Sequence, residues 1–325
     1  MHRILIIQTA FIGDVILATP VLSELKRLFP SAELDVLVKK GNGVLLEQDP
    51  TVRMLYQFDK KAGKLREIFR LRKEFKARNY DLTINLHRFG SSGILSLLSG
   101  SKKIYGFKKN PFSLFFTKRF EHRIGDGTHE VERNLSIIKE FGAVSFLRPV
   151  LYLDSDAQAT VVKYKSEPYF CFAPASVWFT KQLPEDKWVE LIKLRSPLGK
   201  IYMLGAQSDY DLCQRIIEKS QIKNAENLCG KLTLLESAAL IRDAQRTYVN
   251  DSGPLHLASS MNARVTAFFC STTPNFGFGP LSEDSEIIET SEKLSCKPCG
   301  IHGYRSCPYG HFACGTNIDV RVSKS

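Results

Sequence analysis

The sequence predicts an α/β protein made of two Rossmann-like domains, each built on a parallel sheet. Strand-like and helix-like segments alternate along the whole chain, a pattern typical of β-α units joined by right-handed crossovers. A polar stretch with little periodicity, residues 154–167, interrupts this alternation. The length of 325 residues also suits about two domains. We therefore expect two domains, residues 1–154 and 155–325.

The first half begins with Arg3–Gln8, a short apolar run typical of a buried parallel strand. Apolar residues at helical spacing predict a helix over residues 15–28, and Pro30 marks its end. The same patterns predict strands at 34–38, 54–58 and 82–86 and helices at 63–78, 91–98 and 129–141.

The second half repeats the alternation, with strands at 169–173, 201–204, 247–250 and 265–269 and helices at 185–195, 209–219, 234–243 and 254–261. Ligands of such sheets bind beyond the carboxyl ends of the strands. Functional residues are therefore expected in the turns that follow the predicted strand ends, which are Gln8, Leu86, Ala173, Leu204 and Asn250.

The composition is that of an ordinary folded protein, with 43% hydrophobic and 24% charged residues. It excludes a largely disordered chain, a collagen-like fibre and a coiled-coil rod. No apolar run approaches the ~20 residues that a membrane-spanning helix needs. The first apolar run stops at Gln8, well short of a signal-peptide core, so we expect no export.

The net charge of +11 lies entirely in residues 1–150, where 26 Lys and Arg accompany 15 Asp and Glu. A strong net positive charge on one domain indicates an anionic partner, such as nucleic acid, a membrane surface or an acidic small molecule. The alternative is a solvated basic helix, because residues 60–78 supply much of the excess charge.

The turn after the first strand places Gly13 and Asp14 at the start of a helix. Gly13 allows the chain to pass close to a ligand. Asp14 has two interpretations: it caps the helix, or it is a general base that accepts a proton from a substrate hydroxyl. The G-x-G-x-x-G fingerprint of dinucleotide-binding proteins is absent from this turn.

The loop after Ala173 carries hydroxyl groups at Ser176 and Thr180 and a cation at Lys181. Hydroxyl donors beside an ammonium group suit a phosphate, because the donors position it and the ammonium neutralises its charge. An ordinary solvated lysine is the competing interpretation.

The segment from Asp251 to His256 carries the strongest local signal. A strand ends, a turn with Gly253 follows, and a helix begins with a proline near its first position. The free amides of a helix start form an anion site, and Ser252 would add a hydroxyl donor. Asp251 would cap the helix or hold the amides in position, and His256 is either a ligand contact or an ordinary buried histidine.

Four cysteines, Cys296, Cys299, Cys307 and Cys314, lie within 19 residues. Related spacings bind zinc or iron, and the glycines and prolines between them suit a loop that wraps a metal. The alternatives are four reduced thiols or two disulfides formed on purification. The other cysteines, Cys171, Cys213, Cys229 and Cys270, are expected in the core.

Three segments are recognisable together. They are Ile-Gly-Asp-Val-Ile-Leu-Ala-Thr-Pro-Val-Leu at 12–22, the Pro-Ala-Ser…Lys stretch at 174–181, and Asn-Asp-Ser-Gly-Pro-Leu-His-Leu-Ala at 250–258, which is followed by Ser-Thr-Thr-Pro at 271–274. With these segments the chain resembles glycosyltransferase family 9, the ADP-heptose:lipopolysaccharide heptosyltransferase family. The resemblance extends over nearly the whole chain.

The resemblance implies a GT-B fold, in which two Rossmann-like domains face a cleft. It implies that the first domain binds the acceptor and the second the nucleotide sugar, and that transfer inverts the anomeric carbon without a metal for the chemistry. Asp14 corresponds to the catalytic base, and Lys181 corresponds to the lysine on the donor phosphates, with Ser176 beside it. Further donor contacts would be Asp209 near the nucleoside and Asp251, Ser252, Gly253 and His256 on the pyrophosphate and heptose.

The resulting hypothesis is a transferase that moves heptose from ADP-heptose to an anionic lipopolysaccharide inner-core acceptor. It would be cytoplasmic and peripheral at the inner face of the inner membrane, with no nucleic-acid partner. Its acceptor side would include Gly13, Lys60, Lys61 and Lys64, and a zinc or iron ion at the cysteines would be structural. The alternatives are a GT-B transferase or epimerase for another nucleotide sugar or a protein acceptor, and a non-enzymatic protein that binds nucleic acid.

Overall fold

The computed structural model describes residues 1–323, apart from the side chain of Lys64, so the prediction for that lysine lies outside the described part. The chain forms two compact units. The first comprises Met1–Ile124 and Thr128–Tyr152, and the second comprises Gly125–Gly127 and the chain from Leu153 onward.

The first unit is built on a six-stranded parallel sheet with the strand order β3-β2-β1-β4-β5-β6. Its strands are β1 (Arg3–Gln8), β2 (Glu33–Lys39), β3 (Val52–Phe58), β4 (Leu82–Asn85), β5 (Lys103–Phe107) and β6 (Lys118–Phe120). Its helices are α1 (Ile12–Ile16), α2 (Thr19–Leu28), α3 (Lys64–Arg78), α4 (Gly90–Leu98) and α5 (Glu130–Ser136).

The second unit also contains a six-stranded parallel sheet, in the order β12-β11-β10-β7-β8-β9. Its strands are β7 (Tyr169–Ala173), β8 (Lys200–Met203), β9 (Ala225–Asn227), β10 (Arg246–Asn250), β11 (Val265–Phe268) and β12 (Ser285–Ile288). Its helices are α6 (Ser155–Val161), α7 (Glu185–Arg195), α8 (Tyr210–Ser220), α9 (Leu234–Arg242), α10 (Gly253–Ser260) and α11 (Ala313–Thr316).

The two sheets have the same topology. In each one the first strand lies between the second and the fourth, and the order reverses there. This reversal point is β1/β4 in the first unit and β7/β10 in the second. Parallel sheets open a crevice for ligands at such a switch point, beyond the carboxyl ends of the two strands.

Three sequence predictions differ from the structure. The helix expected over 15–28 is two helices, because α1 ends at Ile16 and α2 begins at Thr19, with a proline in its first turn. The helix expected over 129–141 ends at Ser136 and continues only as a 3-10 turn. The polar stretch 154–167 contains α6, whose N-terminus is capped by Asp154.

The strands at the switch points are buried along their length, because helices cover both faces of each sheet. The core of the first unit includes Leu5, Ile7 and Phe75, and that of the second includes Phe172, Trp188 and Phe268. Buried central strands hold the turns that follow them in fixed positions. Within residues 1–323, no helix is both long and apolar enough to cross a membrane.

Candidate functional site

Asp14 lies at the switch point of the first sheet, in the first turn of α1. Its Oδ2 accepts a hydrogen bond from the backbone N–H of Phe11 at 3.1 Å, so the carboxylate caps the helix. The residue nevertheless remains partly accessible to solvent. The capping role therefore does not remove the carboxylate from reach of a substrate.

The surroundings of Asp14 shift its proton affinity. Burial raises the pKa of Asp14 to about 6, and the negative charge of Glu130 acts in the same direction. The amide of Phe11 and the guanidinium of Arg88 oppose this rise. Desolvation thus outweighs the helix terminus, and Asp14 is mainly ionised at neutral pH while being a stronger base than an ordinary aspartate.

A buried ion network lies in the same unit. Glu130 is 2% exposed, and its two carboxylate oxygens each lie 3.0 Å from Nε2 of His122. The Nε of Arg133 donates to Glu130 at 2.7 Å. On the other side of the ring, Nη1 of Arg88 lies 3.4 Å from Nδ1 of His122. The network therefore fixes the two charges, on Glu130 and Arg88, that influence Asp14.

A second buried histidine, His87, follows β4. Its Nδ1 lies 2.9 Å from Oγ1 of Thr9, the residue directly after β1. Burial lowers the pKa of His87 to about 4, with smaller contributions from the positive charges of Lys60 and Arg88. His87 is therefore neutral at neutral pH, and Lys60 lies near enough to influence it.

The other predicted acceptor-side residues are placed as follows. Gly13 is buried within α1, and Lys60 and Lys61 are exposed in the turn before α3. Sequence reasoning did not assign His87, Arg88, His122 or Glu130 to a site. His87 and Arg88 lie in the turn after the central strand β4, which is a usable signal. His122 and Glu130 follow no central strand, and only tertiary contacts bring them near Arg88 and Asp14.

Lys181 and Asp251 form an ion pair at the switch point of the second sheet, with 2.6 Å between Nζ and Oδ2. Lys181 comes from the loop after β7, and Asp251 directly follows β10. The Asp251 carboxylate also accepts a hydrogen bond from Thr272 at 2.7 Å. The Asn250 amide donates to the Pro174 carbonyl at 2.6 Å, which ties the two loops together.

Thr180, another predicted donor contact, is 1% exposed. Its hydroxyl oxygen accepts hydrogen bonds from the Ser271 hydroxyl at 3.0 Å and from the backbone N–H of Tyr304 at 2.7 Å. The N–H of Thr180 donates to the Tyr304 carbonyl at 3.1 Å. These bonds attach the loop of Lys181 to the cysteine-containing segment, residues 296–314. Thr180 therefore has a structural role in the site.

Helix α10 begins beside the ion pair. Ser252 is its N-cap residue, but the Ser252 side chain does not cap the helix; its hydroxyl lies 3.4 Å from the Asn250 carbonyl. Gly253 occupies the first helical position, and His256 is buried one turn later. A helix start without a side-chain cap presents amides to an anion.

Asp209 and Ser176 lie in loops that are held in place by hydrogen bonds within each loop. The Asp209 carboxylate accepts a hydrogen bond from the Ala206 N–H at 2.8 Å, in the turn between β8 and α8. Ser176 is half-buried, and its carbonyl accepts a hydrogen bond from the Gln182 amide at 2.7 Å. Nucleotide contacts by these two residues stay predictions.

The four clustered cysteines are free thiols, as are Cys171, Cys213, Cys229 and Cys270, which are all buried as expected. Burial opposes ionisation of the Cys307 thiol, but the backbone N–H groups of residues 309–312 outweigh it and lower the pKa of Cys307. Cys296 Sγ lies 4.0 Å from Nε2 of His311. Within residues 1–323, no three His, Cys, Asp or Glu side chains are arranged to hold a metal ion.

A comparison with known families decides the identity of the chain. The model of glycosyltransferase family 9 (heptosyltransferase) matches residues 68–305, more than half of the chain. The chain belongs to glycosyltransferase family 9. A relative in this family is lipopolysaccharide heptosyltransferase 3 of Escherichia coli, 29% identical over 277 residues that cover 81% of this chain and 82% of that protein.

Solved structures of two heptosyltransferases share the fold of this chain. Escherichia coli ADP-heptose LPS heptosyltransferase II is similar with a TM-score of 0.76 and 21% identity, over 93% of this chain and 92% of that one. Escherichia coli heptosyltransferase WaaC with ADP-2-deoxy-2-fluoro heptose is similar with a TM-score of 0.72 and 20% identity, over 91% and 96%. The fold is therefore GT-B, as the sequence predicts. As a member of a glycosyltransferase family, the chain is an enzyme and not a non-enzymatic binding protein.

Proposed function

We propose that this family 9 glycosyltransferase moves heptose from ADP-heptose to a lipopolysaccharide inner-core acceptor with inversion at the anomeric carbon. An acceptor hydroxyl attacks the anomeric carbon, the bond from that carbon to the phosphate oxygen breaks, and ADP leaves. Asp14 takes the proton of the attacking hydroxyl. The names of the relatives supply the sugar and the lipopolysaccharide, and the structure supplies candidate groups for each step.

The observation that carries this proposal is the combination of accessibility and raised pKa at Asp14. A general base works best when its pKa approaches the operating pH. A carboxyl with a pKa of about 6 is ionised at neutral pH and accepts the hydroxyl proton more readily as attack proceeds.

The leaving ADP is assigned to Lys181 and the start of α10. The ammonium group has three donors, and its contact with Asp251 uses one, which leaves two to bind phosphate oxygens. Asp251, held by Thr272, keeps the ammonium group in place. The α10 amides add partial positive charge where the diphosphate gains negative charge. Ser252, Gly253 and His256 are proposed as further donor contacts.

The first unit is proposed to bind the acceptor and the second the donor. The excess positive charge of the first half would attract the phosphates and acidic sugars of a lipopolysaccharide core. We place the protein in the cytoplasm, peripheral to the inner face of the inner membrane.

The proposed reaction assigns no step to a metal. A zinc or iron ion at Cys296, Cys299, Cys307 and Cys314 would be structural, and it stays a prediction because the described side chains do not form a metal-holding group. Elemental analysis of the purified protein tests it directly.

The decisive experiment on the mechanism is Asp14→Asn. Asparagine keeps an oxygen that can accept the Phe11 N–H, so the helix cap survives while the base is lost. We expect the transfer rate to fall by about a hundredfold or more, with unchanged affinity for ADP in calorimetry. Activity within tenfold of the wild type removes Asp14 as the base.

The identity of the donor needs its own test, because the family alone does not exclude another nucleotide sugar. Thermal-shift measurements with ADP-, UDP- and GDP-sugars compare the alternatives directly. We expect the largest stabilisation with ADP-heptose. Stronger stabilisation by a UDP- or GDP-sugar would favour the alternative transferase or epimerase.

A further inference from the structure

Two adjacent apolar side chains project from the first unit, between β5 and β6. Leu114 is 76% exposed and Phe115 is 69% exposed. Single exposed apolar residues are ordinary on a protein surface, whereas neighbouring ones form a patch that usually has a partner.

The loop that presents these two residues is firmly held. The Asn110 side chain donates to the carbonyls of His87 and Phe89 at 3.0 and 3.1 Å. The ring of Phe112 packs so closely on Gly93 of α4 that a Cβ there would lie 3.0 Å from it. The Ser113 hydroxyl donates to the Lys108 carbonyl at 2.9 Å. The exposure of the apolar pair is therefore imposed by the fold.

Cations border the apolar tip on both sides. Lys108 and Lys109 precede it, Lys118 and Arg119 follow it, and all four are exposed. Two carboxylates accompany them, because Lys108 pairs with Glu121 and Lys118 pairs with Glu140. The loop thus combines an apolar tip with a net positive border.

Helix α3 repeats this combination. Leu65 and Phe69, one turn apart, are 71% and 62% exposed, although α3 already buries a separate apolar stripe at Ile68, Leu71 and Phe75. Arg66 and Lys73 are exposed on the same helix. Helix α3 packs against α4, the helix whose first turns hold the Leu114–Phe115 loop, so both features lie on the same side of the first sheet.

We propose that the loop 108–119 and the exposed face of α3 form a docking surface for an anionic lipid bilayer. The apolar side chains would enter the boundary between headgroups and acyl chains while the lysines and arginines contact anionic headgroups. Charge complementarity selects this occupant, because an apolar protein partner would not require a cationic border. The inference rests on the proposed function, whose acceptor is a membrane lipid, and assigns the surface that brings the enzyme to it.

The test is co-sedimentation with vesicles of phosphatidylcholine containing phosphatidylglycerol, compared with vesicles of phosphatidylcholine alone. The wild type should bind the anionic vesicles and lose binding as salt is added. The double variant Leu114→Ser/Phe115→Ser should bind about tenfold more weakly or worse, because it loses the two apolar side chains that would enter the bilayer. The matched control is Val162→Ser/Leu198→Ser, which removes two exposed apolar residues of the second unit and should bind like the wild type.

Several outcomes would overturn the proposal. One is the absence of wild-type binding to anionic vesicles, and another is equal binding by the Leu114/Phe115 variant and the wild type. If that variant instead abolishes a dimer seen in sedimentation velocity, a second copy of the chain occupies the surface. Glycosyl transfer to an acyl-free, soluble acceptor separates this inference from the proposed function. The Leu114/Phe115 variant should retain this transfer activity. If the wild type lacks the activity, that result contradicts the proposed function and not the docking surface. Thermal melts of all variants verify folding.

Discussion

At the residue scale, Asp14 shows how one side chain serves both structure and chemistry. Its carboxylate caps α1, and its proton affinity is nevertheless raised by burial and by Glu130. The spacing of residues left the cap and the base as alternatives, because sequence does not report how much solvent a carboxylate loses on folding. The structure resolves the direction of the pKa shift.

The pH dependence of activity follows from this shift. Because the ionised carboxylate is the active form, kcat/KM should rise with pH, with an apparent pKa of about 6, and then level off. Arg88→Gln removes a positive charge that favours ionisation, so it should move this limb to higher pH. A profile that stays flat between about pH 5 and 8 would contradict the role of Asp14 as the titrating base.

Lys181→Ala should weaken ADP binding by roughly tenfold to a hundredfold, the usual effect of losing a charge-assisted hydrogen bond. It should also lower thermal stability, because the buried Asp251 loses its counter-ion. Calorimetric titration with ADP measures the first effect. Lys193→Ala, which removes an exposed lysine from the same unit, is the control and should match the wild type.

At the element scale, the cysteine-containing segment braces the loop of Lys181. Gly303 has a positive φ of 75°, and a Cβ there would lie 2.8 Å from Oγ1 of Thr180 and 3.1 Å from Cγ of Lys181. Gly303→Ala should therefore weaken ADP binding several-fold and lower the melting temperature. Gly310→Ala is a matched control, because Gly310 has a φ of 76° but no atom within 4 Å of the added Cβ. Equal ADP affinities of the two variants would show that the brace does not matter.

The elements that sequence could predict are the ones with strong patterns. The buried strands β1, β4, β7 and β10 were predicted within a residue or two, because helices cover both faces of a parallel sheet. The internal strand β5 and the edge strands β6, β9 and β12 were missed, and the three edge strands are short and partly exposed. Lys181 and Asp251 could be singled out by position, but their ion pair depends on two loops meeting in space.

At the scale of the whole molecule, the positive charge of the first half should affect binding of the acceptor rather than binding of the nucleotide sugar. Raising the ionic strength above about 0.1 M shortens the Debye length below about 10 Å. The KM for a phosphorylated core acceptor should then increase several-fold. A dephosphorylated acceptor is the control, and its KM should change less. An equal change for both acceptors would argue against electrostatic recognition.

The shared strand order of the two sheets makes the molecule modular. Each sheet satisfies its backbone hydrogen bonds within its own half, so neither needs the other to complete its ladder. Chimeras that join the amino-terminal half of this chain to the carboxyl-terminal half of a related transferase should therefore keep both scaffolds. Under the proposed roles of the two units, such hybrids would combine the acceptor of one enzyme with the sugar donor of another.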